Sequence, residues 1–418
     1  MQKNPNQNAN IQKTFRLYTL GCKVNSYETQ AIREYFLSNG FAEVKKGSAD
    51  YVVVNTCTVT KSADDKSLYA VRSAKKNNPY ALVIALGCLA EKDANLLEKA
   101  GADKIIPHSR KQEIFSVLKD GVINLPAGRQ GVAPAAEQRN DIWDFKVTNT
   151  TLARAFLKIQ DGCDNKCSFC KVNIVRGKSK SRPVQSIVEE FISLINIGKR
   201  EIVLCGTNLA SWSGDGVSFV DLLKQLVMLE GRFRIRLGSV EAPYVTEELV
   251  ALIAGSPKLA QHIHIPFQSG SDAVLRYMNK KVNKLYYFDI IDLIRRYMPC
   301  AGISCDIMVG FPGESDVDFQ DTLDLLNKAQ PVKTHVFTYS PRSGTEAYCL
   351  DVIAPDILIA RVNAAEKSAD KLAEKFKKTC FLGEEDVIFD ARISSGSAFG
   401  YTGNYIRIEK NRKKIKKY

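Results

Sequence analysis

The sequence predicts an α/β protein in three parts: an N-terminal parallel-sheet βα domain, a central α/β barrel and a small C-terminal β segment. From Phe15 to about Asp120, short apolar runs alternate with longer amphipathic stretches. FRLYTLG precedes NSYETQAIREYFLSNG, DYVVVNT precedes KSADDKSLYAVRSAKKNN, ALVIALG precedes EKDANLLEKAG, and DKIIPHS precedes RKQEIFSVLKDG. This is a βα rhythm. A second alternation starts near residue 150 with strand candidates ARAFLKIQ, EIVLCG, FRIRLGSV, HIHIPFQS, ISCDIMVGF and THVFTYS. Helical stretches such as VQSIVEEFISLINIG, SFVDLLKQLVML, TEELVALIAG and DFQDTLDLLNKA separate them, and six such repeats fit an open or closed α/β barrel. Finally, DVIFDARISSGSAFGYTGNYIRIEK alternates as strands and turns.

At 418 residues the chain is too long for one ordinary core, and ~150 residues per domain gives two or three. The expected boundaries are 14–120, a linker or insertion at 121–148 rich in Pro, Gly, Ala and Gln, a barrel at 149–375 and a terminal domain at 376–418. Hydrophobic residues at 45% and charged residues at 25% exclude disorder as the default. The polar start MQKNPNQNAN is not a secretory signal, and no apolar run approaches the ~18 residues that span a bilayer, so a cytoplasmic protein without membrane contact is expected. Eleven cysteines there argue for reduced thiols, metal ligands and buried small hydrophobes rather than disulfides. A net charge of +13 favours a polyanionic partner, although a merely soluble basic protein would look the same.

Cys163, Cys167 and Cys170 form a Cys-x3-Cys-x2-Cys run in KIQDGCDNKCSFCKVN, directly after the strand-like ARAFLKIQ. Soft thiolates select iron–sulfur clusters or zinc, and a 4Fe-4S cluster held by three of them keeps one iron open. Zinc completed by a distant histidine, buried core cysteines and a disulfide framework are the other readings. The polar turn residues Asp161, Gly162, Asp164, Asn165 and Lys166 favour a ligand loop.

Cys22, Cys57 and Cys88 each follow one of the first three strands, spaced by 35 and 31 residues, about one βα unit apiece. Ligands of parallel sheets bind outside the carboxyl ends of the strands, so these thiols should share one crevice. The reading is a second metal or cluster site, against coincidental strand-end cysteines. In the barrel, polar strand ends at Gly206, Thr207 and Asn208; Ser239 and Glu241; Gln268, Ser269, Gly270 and Ser271; and Gly310, Pro312, Gly313 and Glu314 suggest a ligand-lined mouth. His262 and His264 share one face of a strand, and packing or support of a neighbouring group is their expected role, as for His335. Cys205, Cys300, Cys305, Cys349 and Cys380 read as interior small hydrophobes.

A Cys-x3-Cys-x2-Cys loop ending the first strand of an α/β barrel resembles the radical S-adenosylmethionine (SAM) superfamily, whose fold is a partial TIM-like barrel, and CDNKCSFC with RGKSKSR resembles its methylthiotransferases. TLGCKVNSYET, NTCTVTKSADDKS and ALGCLAE resemble that family's additional N-terminal domain. LGSVEAPYVTEEL, HIPFQSGSDAVLRYM, DIMVGFPGESDVDFQDTL and HVFTYSPRSGTEAY extend the match over about residues 14–408. The resemblance implies two 4Fe-4S clusters, one on Cys163, Cys167 and Cys170 and one on Cys22, Cys57 and Cys88. It further implies that the open iron of the first chelates SAM and generates a 5′-deoxyadenosyl radical, which takes hydrogen from C2 of an adenine. Sulfur held at the second cluster, methylated by another SAM, then joins that carbon. Phe169 would flank the cofactor's adenine, with Gly206, Glu241, Gln268, Ser269 and Arg176 as further cofactor contacts and Arg182 and Arg342 as cofactor or RNA contacts.

GCKVNSYET and NTCTVTKSAD resemble the threonylcarbamoyladenosine (MtaB-like) tRNA branch rather than the isopentenyladenosine branch or the ribosomal-protein branch. The expected function is therefore methylthiolation at C2 of N6-threonylcarbamoyladenosine beside the anticodon of tRNA. The rivals are the other two branches and, from another class, a tRNA-binding iron–sulfur protein without turnover. An electron donor such as flavodoxin or ferredoxin and a sulfur source are implied partners. The terminal segment resembles the small RNA-binding TRAM β-barrel, shortened here, with Phe399, Tyr401 and Tyr405 as candidates for base stacking. Asn208 and Asn173 stand where relatives commonly have histidine and proline.

Overall fold

Six successive buried residues, Tyr51–Thr56 with three valines, can only be a strand covered on both faces, and they form the middle of a parallel sheet. The computed structural model describes residues 12–123, 142–150, 153–381, 383, 386–394 and 397–411. The chain divides into two compact units: residues up to Lys146 except Val59–Lys61, and Val59–Lys61 with everything from Val147 onward.

The first unit runs β1 (Thr14–Thr19), α1 (Lys23–Ser38), β2 (Ala42–Glu43), β3 (Tyr51–Thr56), α2 (Lys61–Asn77), β4 (Leu82–Gly87), α3 (Cys88–Lys92), α4 (Ala94–Lys99), β5 (Lys104–Pro107) and α5 (Ile114–Ile123). Its sheet is five-stranded in the order β2-β1-β3-β4-β5, parallel throughout. Val52, Val54, Val83 and Ala85 project from one face onto Val71, Ala74, Leu89 and Leu97. On α1, Phe36 stacks on Phe15 of β1 at 4.3 Å, and Glu28 forms a fully buried ion pair with Lys111. Of the expected linker, 124–141 lie outside the described residues. The described end of it is structured: Phe145 is buried against Phe115, and its carbonyl accepts the Tyr27 hydroxyl.

The second unit runs β6 (Arg154–Lys158), β7 (Gln160–Asp161), α6 (Val172–Arg176), β8 (Lys180–Ser181), α7 (Val184–Asn196), β9 (Glu201–Cys205), the hairpin β10 (Ser213–Gly214) and β11 (Val217–Ser218), α8 (Phe219–Met228), β12 (Arg234–Leu237) and α9 (Glu247–Gly255). It continues through β13 (His262–Gln268), α10 (Asp272–Tyr277), α11 (Lys284–Tyr297), β14 (Gly302–Val309), α12 (Asp316–Ala329), β15 (Lys333–Thr338) and α13 (Pro355–Cys380), ending in β16 (Ile388–Ser394), β17 (Ser397–Tyr401) and β18 (Arg407–Asn411). Parallel pairing runs β6-β9-β12 and β13-β14-β15, and the parallel bridge Ser239–His264 joins the two sets into a six-strand partial barrel. The caps are local: Ser218, Thr246, Ser271, Asn283 and Ser315 each accept a backbone N–H at the start of α8, α9, α10, α11 and α12.

Helix α13 runs through the boundary expected at residue 376, and the terminal strands belong to the same unit as the barrel. Among the described residues they form a three-stranded antiparallel sheet, β16-β17-β18. Four barrel residues hold it. Glu201, completely buried in β9, accepts from Arg234 Nε at 2.7 Å and from Arg236 Nη2 at 2.9 Å, with Arg154 at 3.9 Å. Those arginines continue outward: Arg234 donates to Asp386 and to the Tyr401 carbonyl, and Arg236 to the carbonyls of Thr402 and Gly403. Burial alone would raise the Glu201 carboxyl, but the Arg236 and Arg234 guanidiniums outweigh it and hold it down at about 2.

Of the five cysteines expected inside, Cys205, Cys305 and Cys380 are buried and Cys300 half-buried. Cys349 is exposed, because it ends a short surface turn, Glu346–Cys349, that follows the last barrel strand. His262 and His264 share the Ser304 hydroxyl at 2.8 Å each, His264 reaches Asp306 at 3.2 Å, and His262 stacks on Tyr405 at 4.3 Å.

Replacing Glu201 by Gln leaves two guanidiniums buried without their carboxylate, and the expected loss is about 3–5 kcal/mol of unfolding free energy by urea titration. In the wild-type protein the depressed carboxyl stabilises fully above its ordinary value of 4.5 and loses that contribution as pH falls towards about 2. The E201Q protein should lack this part of the acid transition.

Candidate functional site

The cluster loop of the second unit is built on Asp161, the residue that ends β7. Its buried carboxylate meets Lys158 Nζ at 2.6 Å and Arg176 Nη1 at 2.8 Å, and accepts the Gly162 N–H at 2.8 Å and the Thr207 hydroxyl at 3.2 Å. Two cations and two neutral donors around one buried carboxylate fix the point from which the loop departs. Gly162 has φ +72°, and a side chain there would place its Cβ 2.0 Å from the Lys178 carbonyl oxygen. Only glycine fits that turn. Cys163 then donates its N–H to Gly177 O at 3.1 Å, tying the first thiol to the far end of the loop.

The loop also has anchors beyond Cys163. Ser168 donates its N–H to Met278 O at 3.1 Å and its hydroxyl to Tyr277 O at 2.7 Å, and Asn279 Nδ2 donates to Lys166 O at 2.8 Å. The Phe169 ring packs edge-on to Phe311 at 6.5 Å, among Val274, Met278, Tyr339 and Ala347. With Ser168 and Phe169 held inward, Cys167 and Cys170 flank an ordered turn, closed by Cys170 N–H to Cys167 O at 3.1 Å. Backbone N–H groups of Asn165 and Val172 point at Cys163 Sγ and Cys170 Sγ, each at 3.4 Å. Such donors favour thiolate sulfur.

Burial pushes all three thiols up, Cys170 to about 12, with the Glu241 carboxylate adding to the effect, while Lys280 pulls Cys167 the other way. Protonated, half-buried thiols carried on one loop become good ligands when a metal displaces their protons. Around them, Glu241 is paired with Lys280 at 2.6 Å. The Asn208 side chain lies near Cys163 and the Tyr244 hydroxyl and works against the rise that burial causes in each, and its backbone N–H is accepted by Gln160 at 2.8 Å. Its Oδ1 is buried without a hydrogen-bond partner among the described residues, an acceptor left for a bound group. Three soft donors, directed N–H groups and this acceptor fit a cluster with an open coordination position. Lys280, Tyr244 and the role of Asn208 were not legible in the sequence: Lys280 sits in a turn between two helices, away from any strand end.

Gly206 lies against Gln160, where an added Cβ would come within 2.8 Å of its side chain. Gln268 ends β13 with φ +69°. The Ser269 hydroxyl is buried against Thr322 at 3.2 Å. Arg176 is spent on Asp161. Arg182 is fully buried, bonded to Ser186, Lys158 O and Glu190, so it serves the fold and is not available to RNA. Arg342 is also buried. Tyr401 and Tyr405 are half-buried and stacked on each other at 4.7 Å, with Arg154 over Tyr401 at 4.6 Å and Arg236 over Tyr405 at 5.0 Å. Those contacts occupy ring faces that base stacking would need.

In the first unit, Cys22 caps α1, Cys57 follows β3 and Cys88 opens α3 directly after β4. The register pairs Thr19 with Asn55 and Thr56 with Gly87, so the three cysteines leave the carboxyl edges of three adjacent strands. Cys22 is exposed, whereas Cys57 and Cys88 are buried. Gly21, at φ +90°, passes so close to Cys57 that an added Cβ would lie 2.7 Å from its Sγ. A polar frame holds the edge. Asn25 Nδ2 donates to the Leu20 and Thr56 carbonyls, Asn55 Nδ2 donates to Asn25 O and Thr29, and Ser67 accepts the Cys57 N–H at 3.1 Å. Asn55 Oδ1 is buried without a hydrogen-bond partner among the described residues. Three thiols at adjacent strand ends are the donor set that a second cluster would need; the asparagines stand in the same short phrases as the cysteines, but only the thiols carried a readable signal.

A partial parallel barrel whose first strand runs into three thiols defines a radical SAM enzyme. The sequence model of the Radical SAM superfamily matches residues 157–326, and that of Uncharacterized protein family UPF0004 matches residues 14–106. Threonylcarbamoyladenosine tRNA methylthiotransferase MtaB of Thermotoga maritima is 32% identical over 95% of this chain and 91% of its own, and that of Bacillus subtilis 31% identical over 94% and 90%. A tRNA-2-methylthio-N(6)-dimethylallyladenosine synthase of Lawsonia intracellularis is 33% identical over 81% and 78%. The chain belongs to the radical SAM methylthiotransferase family and is MtaB-like. Among solved structures, the radical SAM methyltransferase TsrM of Kitasatospora setae shares the fold at TM-score 0.55 and 13% identity, over 81% of this chain and 77% of that one. No helix among the described residues is long and apolar enough to cross a membrane.

Gly162→Ala should displace the cluster loop from Lys178 and lower the iron bound after reconstitution by roughly half, while Asn165→Ala, which keeps the backbone N–H to Cys163, retains the wild-type content. Iron per chain and visible absorbance read the difference.

Proposed function

We propose that this enzyme adds a methylthio group to C2 of N6-threonylcarbamoyladenosine beside the anticodon of tRNA, using two 4Fe-4S clusters and SAM. The observation that carries the reading is the pairing of two three-thiol edges, Cys22, Cys57 and Cys88 in one unit and Cys163, Cys167 and Cys170 in the other, in a chain whose MtaB relatives align over more than nine-tenths of it. When bound, a cluster with SAM supplies one-electron reductive cleavage, and the second cluster supplies an iron that holds sulfur. Asn208 Oδ1 and Glu241, the latter paired with Lys280, are the residues that would hold the polar end of SAM. The close approach of Gly206 to Gln160 keeps that wall of the mouth flat, and Phe169 holds the turn rigid through Phe311. Asn55 and Asn25 hold the chain that leads into Cys57, through the Thr56 and Asn25 carbonyls. An electron donor such as flavodoxin or ferredoxin and a sulfur source complete the system. An unstacked anticodon-loop adenosine suits such a mouth, since its extrusion costs little.

A second reading, the isopentenyladenosine substrate, rests on relatives of that activity at 33% identity. Nucleoside mass spectrometry of tRNA from cells lacking the gene separates the two: disappearance of 2-methylthio-threonylcarbamoyladenosine supports the proposal, and loss of the dimethylallyl counterpart instead would overturn it. The triple variant Cys22→Ala, Cys57→Ala, Cys88→Ala should fall from about eight to about four irons per chain. It should still release 5′-deoxyadenosine from SAM and dithionite while forming no methylthio product; unchanged iron would count against a second cluster.

A further inference from the structure

We infer that the turn between α10 and α11 is a phosphodiester-binding pocket that seats the backbone of the RNA substrate beside the cluster loop, an inference that rests on the tRNA reading above. The pocket has a volume of about 430 Å³, and Arg276, Lys280, Lys281, Asn283 and Tyr286 line it together with Asp272. Its charge is strongly one-sided. Asp272, the sole carboxylate of the lining, accepts the Lys284 N–H at 2.6 Å, and Lys280 is paired with Glu241. Arg276 and Lys281 are exposed, and neither has an ion-pair partner among the described residues. Arg276 and Lys281 together outweigh the single carboxylate of the lining, and an anion placed there gains from that surplus of positive charge.

The lining fits phosphate better than an apolar small molecule, whose pockets are mostly hydrophobic. A guanidinium fork and an ammonium are the usual phosphate donors. Tyr286 at the rim and Tyr277, 61% exposed on the same turn, offer ring faces for an unstacked base. A concave site of this size takes one phosphate with its sugar, whereas a docked protein needs roughly 800 Å² of complementary surface on each partner. Position ties the pocket to the chemistry. The same turn, Tyr277–Asn279, holds the cluster loop through Ser168 N–H to Met278 O, Ser168 Oγ to Tyr277 O and Asn279 Nδ2 to Lys166 O. A strand of RNA gripped here is registered against Cys167 and Cys170 through those three bonds.

The test uses the reconstituted full chain and a fluorescein-labelled anticodon stem-loop RNA carrying threonylcarbamoyladenosine, with anisotropy followed across a salt series. Arg276→Glu with Lys281→Glu should raise Kd at least about tenfold and reduce the slope of log K against log salt by about 2. Lys224→Glu, on the exposed face of α8, is the control for general charge and should leave both near wild type. Iron content and melting temperature check the fold, and if the double reversal misfolds, Arg276→Gln with Lys281→Gln is read instead, with the same direction. Equal binding by wild type and variant overturns the inference while leaving the tRNA reading intact. So does an equal loss in the Lys224 control. Absence of RNA binding by the wild type overturns the tRNA reading itself. Unchanged RNA affinity with turnover lost only when a protein electron donor replaces dithionite assigns the pocket to an acidic donor, and overturns the inference as well.

Discussion

The buried carboxylate of Asp161 is the interaction on which the barrel's site depends. It draws Lys158 from β6, Arg176 from α6 and Thr207 from the loop after β9 to one point. A buried carboxylate so far from water is stable only while its donors stay in place, and each donor comes from a different segment. The strand end, the helix after the cysteines and the neighbouring strand-end loop are thereby fixed together, and the thiols inherit that order through Gly162 and the Cys163 N–H. Lys158 and Arg176 thus act on the cluster loop without touching a sulfur in the bonds seen here.

Glu201 plays the corresponding part at the terminal sheet. It joins β9 to β12 and commits Arg234 and Arg236, whose outer nitrogens pin the turn Tyr401–Gly403 and Asp386. Strands β16, β17 and β18 are thus held by charge-assisted bonds to barrel strands, with His262 and Arg236 covering Tyr405. A short sheet held this way gains from the barrel what closure on itself would otherwise provide. Tyr401 and Tyr405 are drawn into the junction, while Phe399 lies under Arg407, whose guanidinium sits 4.9 Å above its ring.

Most of the architecture was legible because periodicity reports burial. YVVVNT and ALVIALG can only be doubly covered strands, and the six barrel strands each stand at the predicted phrase. Both cysteine sets were legible because strand ends in parallel sheets are fixed by chain order. What failed to show was anything set by side-chain direction. Arg182 lies in a basic phrase, RGKSKSR, that suggests nucleic acid, yet its neighbour in space is Glu190, one helix turn beyond Ser186, and the pair is interior. Tyr401 and Tyr405 alternate like surface aromatics but meet the barrel arginines, a contact between segments more than 150 residues apart. Lys280 and Asn208 gained their places from loops whose path no local pattern encodes.

The two thiol sets share a geometric logic that bears on why each stops at three. In the first unit the thiols come one per strand from three adjacent strand ends, along one edge of the sheet. In the second they come from a single loop bound at both ends, by Gly162 and Gly177, and in the middle by Ser168. A fourth protein ligand would have to come from the far side of the site in either case, over the space above the strand ends. Near the thiols, Asn208 Oδ1 in one unit and Asn55 Oδ1 in the other are buried acceptors with no hydrogen-bond partner among the described residues. Natural folds retain few such atoms, because each costs about 1–3 kcal/mol unless something donates to it. Asn208 Oδ1, near Cys163, is such an atom, and a donor bound in the barrel mouth would satisfy it.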